Sequence, residues 1–396
     1  MLSACPIRKS LAVPDESVEQ NAIGPSKQER GDPLLGLLGQ PARFPQRKGP
    51  RAGEKRPAGR PTLAEAWREG PRGLLRILGP GIVTGAADDD PSAIATYAQA
   101  GAQFGYGLLW TGLFTLPLMV AVQELAQRIA LQTGTGLGVN LRRKFPAWIV
   151  AAAVALLFVS NVITLGADLR AVAAGIELLS RGLLRATWVI APVAAMLVGF
   201  QLFANYELLY RTFRWLTVAL FAYVAAVFAA HPGSATVLAA TFIPHLEFSS
   251  QFLLMLVAVL GTTLSPYLFF WQPAQEIDVM QAMGRLSIDE YPGVDDHELQ
   301  AARTDTFTGM FFSQLVAYCI ILTAAAVLYA HGKTDIQTAA DAAQALRPLA
   351  GPAAFVLFAA GFIGTGLLAI PVLSASAAYA VNEVARIPAS LVVEPR

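Results

Sequence analysis

The stretch Gly85-Ala-Ala-Asp-Asp-Asp-Pro-Ser-Ala-Ile-Ala-Thr96 places three consecutive carboxylates inside an apolar segment that begins near Leu74. Asp90 lies about 16 residues past Leu74, roughly 24 Å along a helix, well inside a membrane core about 30 Å thick. An acidic side chain at that depth costs about 2.5–3.5 kcal/mol, so it persists where a partner, a cavity or a cation offsets the cost. Because Pro91 lacks an N–H and disfavours a helical residue before it, we expect the helix to unwind here.

A second stretch, Gly261-Thr-Thr-Leu-Ser-Pro-Tyr267, lies near the centre of the uncharged segment between Glu247 and Glu276. Gly261 and Pro266 bracket hydroxyl residues and indicate a second break, with a simple kink as the alternative. Unwound backbone frees carbonyl groups to act as ligands and is tolerated where it lines a cavity. Two broken helices, the first and the sixth in order, predict five-helix repeats of inverted topology with a site between them.

The composition places these motifs in a membrane protein. The chain has 396 residues, of which 55% are hydrophobic and only 14% are charged, and its mean hydropathy is +0.49. Soluble domains carry about 25% charged residues, so this chain is not an ordinary soluble enzyme or a nucleic-acid binder. Cys5 and Cys319 are too few and too distant for a zinc site or a disulfide framework. We therefore predict an all-α, polytopic membrane protein whose surroundings are a lipid bilayer, without a cofactor or nucleic-acid partner.

The chain divides into three parts. Residues 1–72 are predicted to be a disordered, basic, proline-rich tail, residues 73–385 a transmembrane transporter domain, and residues 386–396 a C-terminal tail. The middle part contains about eight apolar segments, each long enough to span a bilayer. They lie at about 74–100, 105–132, 144–179, 185–207, 214–231, 247–276, 305–331 and 347–383.

Basic residues predict the orientation in the inner or plasma membrane. The basic tail precedes the first span, and Arg142, Arg143 and Lys144 lie between the second and third spans. The segment 231–250, between the fifth and sixth spans, contains no Lys or Arg. Because cytoplasmic loops carry the excess of basic residues, the N-terminus is predicted to be cytoplasmic, and an even number of spans returns the C-terminus to that side.

Three further aspartates have two interpretations each. Asp88 and Asp89 are either solvated residues at a helix end or groups beside the site and its pathway. Asp168 ends an apolar stretch and is either an interfacial charge paired with Arg170 or a member of the site.

At these motifs the sequence resembles the NRAMP family of divalent-metal transporters. The segments 79–92 and 98–106 look like the family's first helix and the connecting turn, and the similarity covers about residues 74–385. More closely, Asp88-Asp-Asp-Pro-Ser92 and Gly261-Thr-Thr-Leu-Ser-Pro-Tyr-Leu-Phe-Phe-Trp-Gln272 look like the NRAMP-related magnesium-transporter branch. The resemblance implies a LeuT-type fold in which the metal is held between unwound helices one and six.

The resemblance also implies a metal site. Asp90 matches the metal-binding aspartate of the family, whereas Ala93 stands where typical members have an asparagine. Thr262 falls at the position that supplies a backbone carbonyl, with Thr263 beside it. Ser265 replaces a methionine that supplies a sulfur ligand.

Other family positions are changed as well. Tyr267 and Gln272 stand where proton-coupled members carry two histidines. Asp168 matches an aspartate of the third helix, but Ala171 replaces the glutamate that follows it. The four histidines (His231, His245, His297, His331) all fall near predicted loops.

These departures favour a hard cation. A thioether prefers soft or borderline metals, whereas carboxylate, hydroxyl and carbonyl oxygens suit Mg²⁺, which keeps several of its waters. Ala93 and Ser265 leave room for such waters. The hypothesis is downhill uptake of Mg²⁺, with Mn²⁺ as a second substrate, without proton coupling.

Three alternatives remain at this point. The first is a proton-coupled Mn²⁺/Fe²⁺ importer. The second is an amino-acid or organic-cation permease in which Asp90 pairs with an ammonium group, and the third is a non-transporting membrane remnant. The last alternative arises because a complete LeuT-type core has ten helices. With about eight spans, the second repeat is expected to be incomplete at its C-terminal end. The oligomeric state stays open.

Overall fold

The computed structural model describes residues 80–203, 212–213, 216–230, 234–282, 294 and 296–385. Within these ranges the chain forms α-helices and short 3-10 turns, without a β-strand. The all-α prediction is therefore confirmed. The two predicted tails, residues 1–72 and 386–396, lie outside the described residues.

The helices are numbered in chain order. They are α1 (Pro80–Asp88), α2 (Pro91–Phe104), α3 (Leu109–Thr133), α4 (Leu137–Lys144), α5 (Ala147–Leu179), α6 (Ala186–Phe203), α7 (Phe221–Ala230), α8 (Ser234–Phe242), α9 (Ser250–Thr263), α10 (Pro266–Ala282), α11 (Asp296–Val327) and α12 (Ala339–Ala385). Helix α12 is broken at Gly351, whose φ of 84° lies in the left-handed region that favours glycine.

Both predicted breaks are present. Helix α1 ends at Asp88 and α2 begins at Pro91, so the first span is interrupted at the carboxylates. Helix α9 ends at Thr263 and α10 begins at Pro266, which interrupts the sixth span. The simple-kink interpretation of the second stretch is wrong, because the helix stops and restarts there.

Six stretches of the described residues are long and apolar enough to cross a membrane. The first of them, Pro91–Thr133, contains both α2 and α3, which the sequence assigns to two successive spans. The fifth predicted span is described only in part, and its longest helix, α7, has ten residues. These two differences account for the gap between six stretches and the eight predicted spans.

The outer surface of this helical assembly is apolar. On α5, Leu156 is 73% exposed and Ile163 is 68% exposed, and on α3 Phe114 is 50% exposed. Large hydrophobic side chains exposed in such numbers are unusual on a soluble protein. They fit contact with lipid chains.

The core forms where α11 crosses the first span and α12 packs along α5. Three glycines allow the first of these crossings. A Cβ on Gly85 would collide with the backbone of Gly309, and a Cβ on Gly309 would collide with the backbone of Gly81. Small residues at a crossing let two membrane helices approach closely. Helix α11 therefore lies directly against α1, immediately before the carboxylates.

Replacement of Gly309 tests this packing. Gly309→Val places a branched side chain against the backbone of α1, and we expect it to lower stability by at least about 1–3 kcal/mol, the usual cost of overpacking. The measurement is the melting temperature of the purified protein. Gly199→Val is the matched control, because a Cβ at Gly199 meets nothing within 4 Å. Equal melting temperatures for the two variants would contradict the close crossing.

The loop helix α4 is attached to the C-terminal end of α12. The backbone N–H of Gly138 donates to Glu383 Oε2 over 2.6 Å, and the Arg142 guanidinium donates to the carbonyl of Val384. The basic last turn of α4 and the end of α12 consequently lie on one face of the molecule.

Candidate functional site

Asp90 begins the second half of the first span. It is the N-cap of α2, with extended backbone (φ −67°, ψ 165°), and Pro91 occupies the first helical position. Its Oδ1 accepts the hydroxyl of Ser92 at 2.6 Å and the backbone N–H of Ala93 at 2.7 Å. Only 4% of Asp90 is exposed. Because a helix N-terminus stabilises a carboxylate, its position as the N-cap offsets part of the cost of this burial.

Asp168 lies beside Asp90 across the same helix end. It is fully buried on α5, and its Oδ1 accepts the backbone N–H of Ser92 at 3.1 Å. The interpretation of Asp168 as an interfacial partner of Arg170 is wrong. Arg170 is exposed, and residues two apart on a helix do not face each other. The structure therefore brings Asp90 and Asp168 together at Ser92.

Asp88 and Asp89 are also buried, both with 0% exposure, so their interpretation as solvated residues at a helix end is wrong. Asp88 Oδ2 accepts the hydroxyl of Ser313 on α11 at 2.9 Å. Sequence reasoning missed Ser313. The available signal was a pair of polar residues, Ser313 and Gln314, in an otherwise apolar segment.

The break in the sixth span contains the predicted hydroxyl residues. The Ser265 hydroxyl donates to the carbonyl of Thr262 at 2.6 Å. Thr263 is buried, and its hydroxyl lies 3.2 Å from that of Tyr97 on α2. Gly261 is exposed and has open space around it, so close packing does not explain the glycine.

Tyr267 joins the two broken helices. Its hydroxyl donates to the carbonyl of Ala87 at 2.7 Å, which links the start of α10 to the last turn of α1. Together with the contact between Thr263 and Tyr97, this hydrogen bond sets the two breaks side by side. The predicted juxtaposition of the first and sixth helices is therefore observed.

The hydrogen bonds of Gln272 lead away from the four aspartates. It accepts from Gln123 on α3 at 2.7 Å and donates to Thr306 on α11 at 2.7 Å. The Thr306 hydroxyl donates in turn to Gln127, and the Gln127 amide donates to Glu276 at 2.8 Å. This buried polar chain connects three helices beyond the site, and sequence reasoning found only its Gln272 member.

The buried charged side chains of the described residues are all acidic. They are Asp88, Asp89, Asp90, Asp168, Glu276, Asp278 and Asp305. Within the same ranges, no group of three or more His, Cys, Asp or Glu side chains converges closely enough to enclose a metal.

A sequence profile described as natural resistance-associated macrophage protein-like (Nramp) matches residues 81–393. The chain belongs to the Nramp family. This Nramp chain is 30% identical over 318 residues to the divalent metal cation transporter MntH of Deinococcus radiodurans, covering 75% of the chain and 67% of that relative. It is 28% identical over 308 residues to MntH of Xanthomonas campestris, covering 74% of the chain and 65% of the relative. It thus spans about two thirds of the length of these relatives.

Solved structures support the same fold. A mutant of the manganese transporter of Eremococcus coleocola superposes with a TM-score of 0.65 at 15% identity, covering 85% of this chain and 70% of that one. A second mutant of the same transporter gives a TM-score of 0.63 at 16% identity. The LeuT-type architecture implied by the sequence is confirmed. The names of these proteins do not distinguish the magnesium branch from the rest of the family.

Proposed function

We propose that this Nramp protein transports divalent metal cations across the membrane, through the region between its first and sixth spans. One observation carries the proposal. Four aspartates lie buried at the broken first helix and its neighbour α5, and every buried charged side chain of the described residues is acidic. Because an isolated buried carboxylate is costly, such an interior attracts cations. The names of the relatives from Deinococcus and Xanthomonas support the same substrate class.

The proposed ligands are the Asp90 carboxylate, the carbonyl of Thr262 and the hydroxyl of Ser265. Asp168 lies beside Asp90 and completes the acidic side of the site. The Thr262 carbonyl already accepts the Ser265 hydroxyl, but a carbonyl oxygen has a second lone pair for a cation or its water.

We further propose that Mg²⁺ is the preferred substrate, that Mn²⁺ is also accepted, and that transport runs downhill without protons. Ser265 offers an oxygen where a sulfur would favour softer metals. Gln272 is an amide that does not titrate, and it is already engaged with Gln123 and Thr306. A proton-coupled Mn²⁺/Fe²⁺ importer is the second candidate, and the names of the relatives fit it as well as the first.

For orientation, we propose that the N-terminus and the face formed by α4 and the end of α12 are cytoplasmic. The basic turn of α4 (Arg142, Arg143, Lys144) supports this side by the excess of positive charge in cytoplasmic loops.

The test uses the purified full-length chain in proteoliposomes. We expect saturable Mn²⁺ entry, inhibition by excess Mg²⁺, and no acidification of the lumen when metal enters at neutral pH. Metal-driven acidification with Mn²⁺ entry insensitive to Mg²⁺ would support the proton-coupled importer instead. Uptake of amino acids without metal, or background flux for every substrate, would refute metal transport by this chain.

A further inference from the structure

The end of α1 contains carboxylate oxygens that have no hydrogen-bond partner. Both oxygens of Asp89 and the Oδ1 of Asp88 are buried and unpartnered. The Oδ2 of Asp88 accepts a single hydrogen bond from Ser313. Buried polar groups in proteins nearly always have a partner, so these three oxygens, like the Oδ2 of Asp168, are available to a ligand.

The local electrostatics favour a positive ligand at these oxygens. Asp88 is the last residue of α1, where the helix dipole is negative and unsatisfied carbonyls gather. Asp90, in contrast, lies at the positive N-terminus of α2 and has hydrogen bonds from two donors. A negative charge on Asp88 or Asp89 would therefore be less compensated than one on Asp90, although the residues are neighbours in sequence.

The two sets of carboxylates also face different helices. Asp90 and Asp168 meet at Ser92, where α2 contacts α5. Asp88 instead accepts a hydrogen bond from Ser313 on α11. The hydrogen bond of Asp88 therefore leads to α11, whereas those of Asp90 and Asp168 meet at Ser92 beside α5.

We propose a second cation position, formed by Asp88, Asp89 and Ser313 and distinct from the position at Asp90. Its ligand is a hard, partly hydrated divalent cation, because two adjacent carboxylates supply two negative charges and the available donors are all oxygens. Water completes the coordination, because such ions keep several of their waters. The inference rests on the proposed function, since the second ion is taken to be the same cargo.

Two neighbouring positions also aid release. A cation at the second position repels the one at Asp90 across a short, poorly screened distance. Conduction through several adjacent sites is fast when each ion weakens the binding of the next. The second position is therefore expected to raise the maximal flux, whereas Asp90 is required for any flux.

The experiment is calorimetric titration of the purified full-length protein with MnCl₂ and, separately, MgCl₂. We expect about two ions per chain in the wild type. Asp89→Asn and Ser313→Ala should each weaken one binding event by at least about tenfold and leave the other unchanged. Asp90→Asn should abolish the other event. The exposed Asp335→Asn is the matched control and should bind as the wild type does.

The outcomes separate this inference from the proposed function. Asparagine has the shape of a protonated aspartic acid, so Asp89→Asn binding identical to wild type would mean that Asp89 is simply neutral, and the second position would be refuted. A single ion per chain, lost in Asp90→Asn and retained in Asp89→Asn, would refute the second position and leave the proposed function intact. Unchanged binding and flux in Asp90→Asn would overturn the proposed function itself. Melting temperatures of all variants exclude unfolding as the cause of lost binding.

Discussion

Asp90→Asn is expected to reduce Mn²⁺ flux in proteoliposomes by at least about 100-fold, because loss of a direct ligand should exceed the 10–100-fold cost of losing a group that only supports one. Asparagine keeps a carbonyl oxygen at the position of Oδ1, so it still accepts from Ser92 and Ala93 and still caps α2. What it removes is the negative charge. The measurement is the initial rate of Mn²⁺ entry into vesicles that contain equal amounts of each protein.

Ser92→Ala is the matched control for Asp90→Asn. It removes one hydrogen bond to the carboxylate and leaves the charge, so we expect a much smaller loss of flux. Equal losses in the two variants would mean that the geometry of the helix end, and not the charge of Asp90, controls transport. Flux in Asp90→Asn at the wild-type level would contradict a ligand role for Asp90.

The two helix breaks were predictable because their causes are local. Pro91 and Pro266 each lack an N–H, and each begins a new helix where the sequence indicates a break. The burial of Asp90 was also predictable, from its distance along the apolar segment. Local rules of this kind need no knowledge of which helices are neighbours.

Pairing between distant helices was not predictable from the sequence. Ser313 is 225 residues from Asp88, and although it stands out as a polar residue in an apolar segment, nothing in the sequence marks which carboxylate it will face. The contacts of Gln272 with α3 and α11 depend in the same way on the packing of three helices. A resemblance to other proteins placed Gln272 near the pathway, but it does not specify these partners.

Burial of single residues near a helix end was equally hard to predict from the sequence. Asp88 and Asp89 lie where a helix stops, and solvation of such residues depends on what covers the end. Here α11 covers it, because Gly85 and Gly309 allow the two backbones to touch. The burial of these two carboxylates thus depends on glycines, which themselves carry no charge.

Ser265→Met is expected to change the metal preference. A thioether next to the carbonyl of Thr262 favours softer ions, so we expect Cd²⁺ to compete with Mn²⁺ about tenfold more effectively than in the wild type, and Mg²⁺ to compete less. Ser265 is buried, with 8% of its surface exposed, so the longer side chain also displaces water that Mg²⁺ would retain. The measurement is the concentration of each competing metal that halves Mn²⁺ entry.

Ser265→Ala separates these two causes. It removes the hydroxyl oxygen and leaves space for water, so Mg²⁺ competition should weaken only slightly and Cd²⁺ competition should not improve. If Ser265→Met and Ser265→Ala behave alike, the sulfur does not reach the ion and Ser265 is not a ligand. If Mg²⁺ competes as well in Ser265→Met as in the wild type, the oxygen at this position does not determine selectivity. A gain for Cd²⁺ in the methionine variant alone would place residue 265 in contact with the transported cation, since softness acts only through a direct bond.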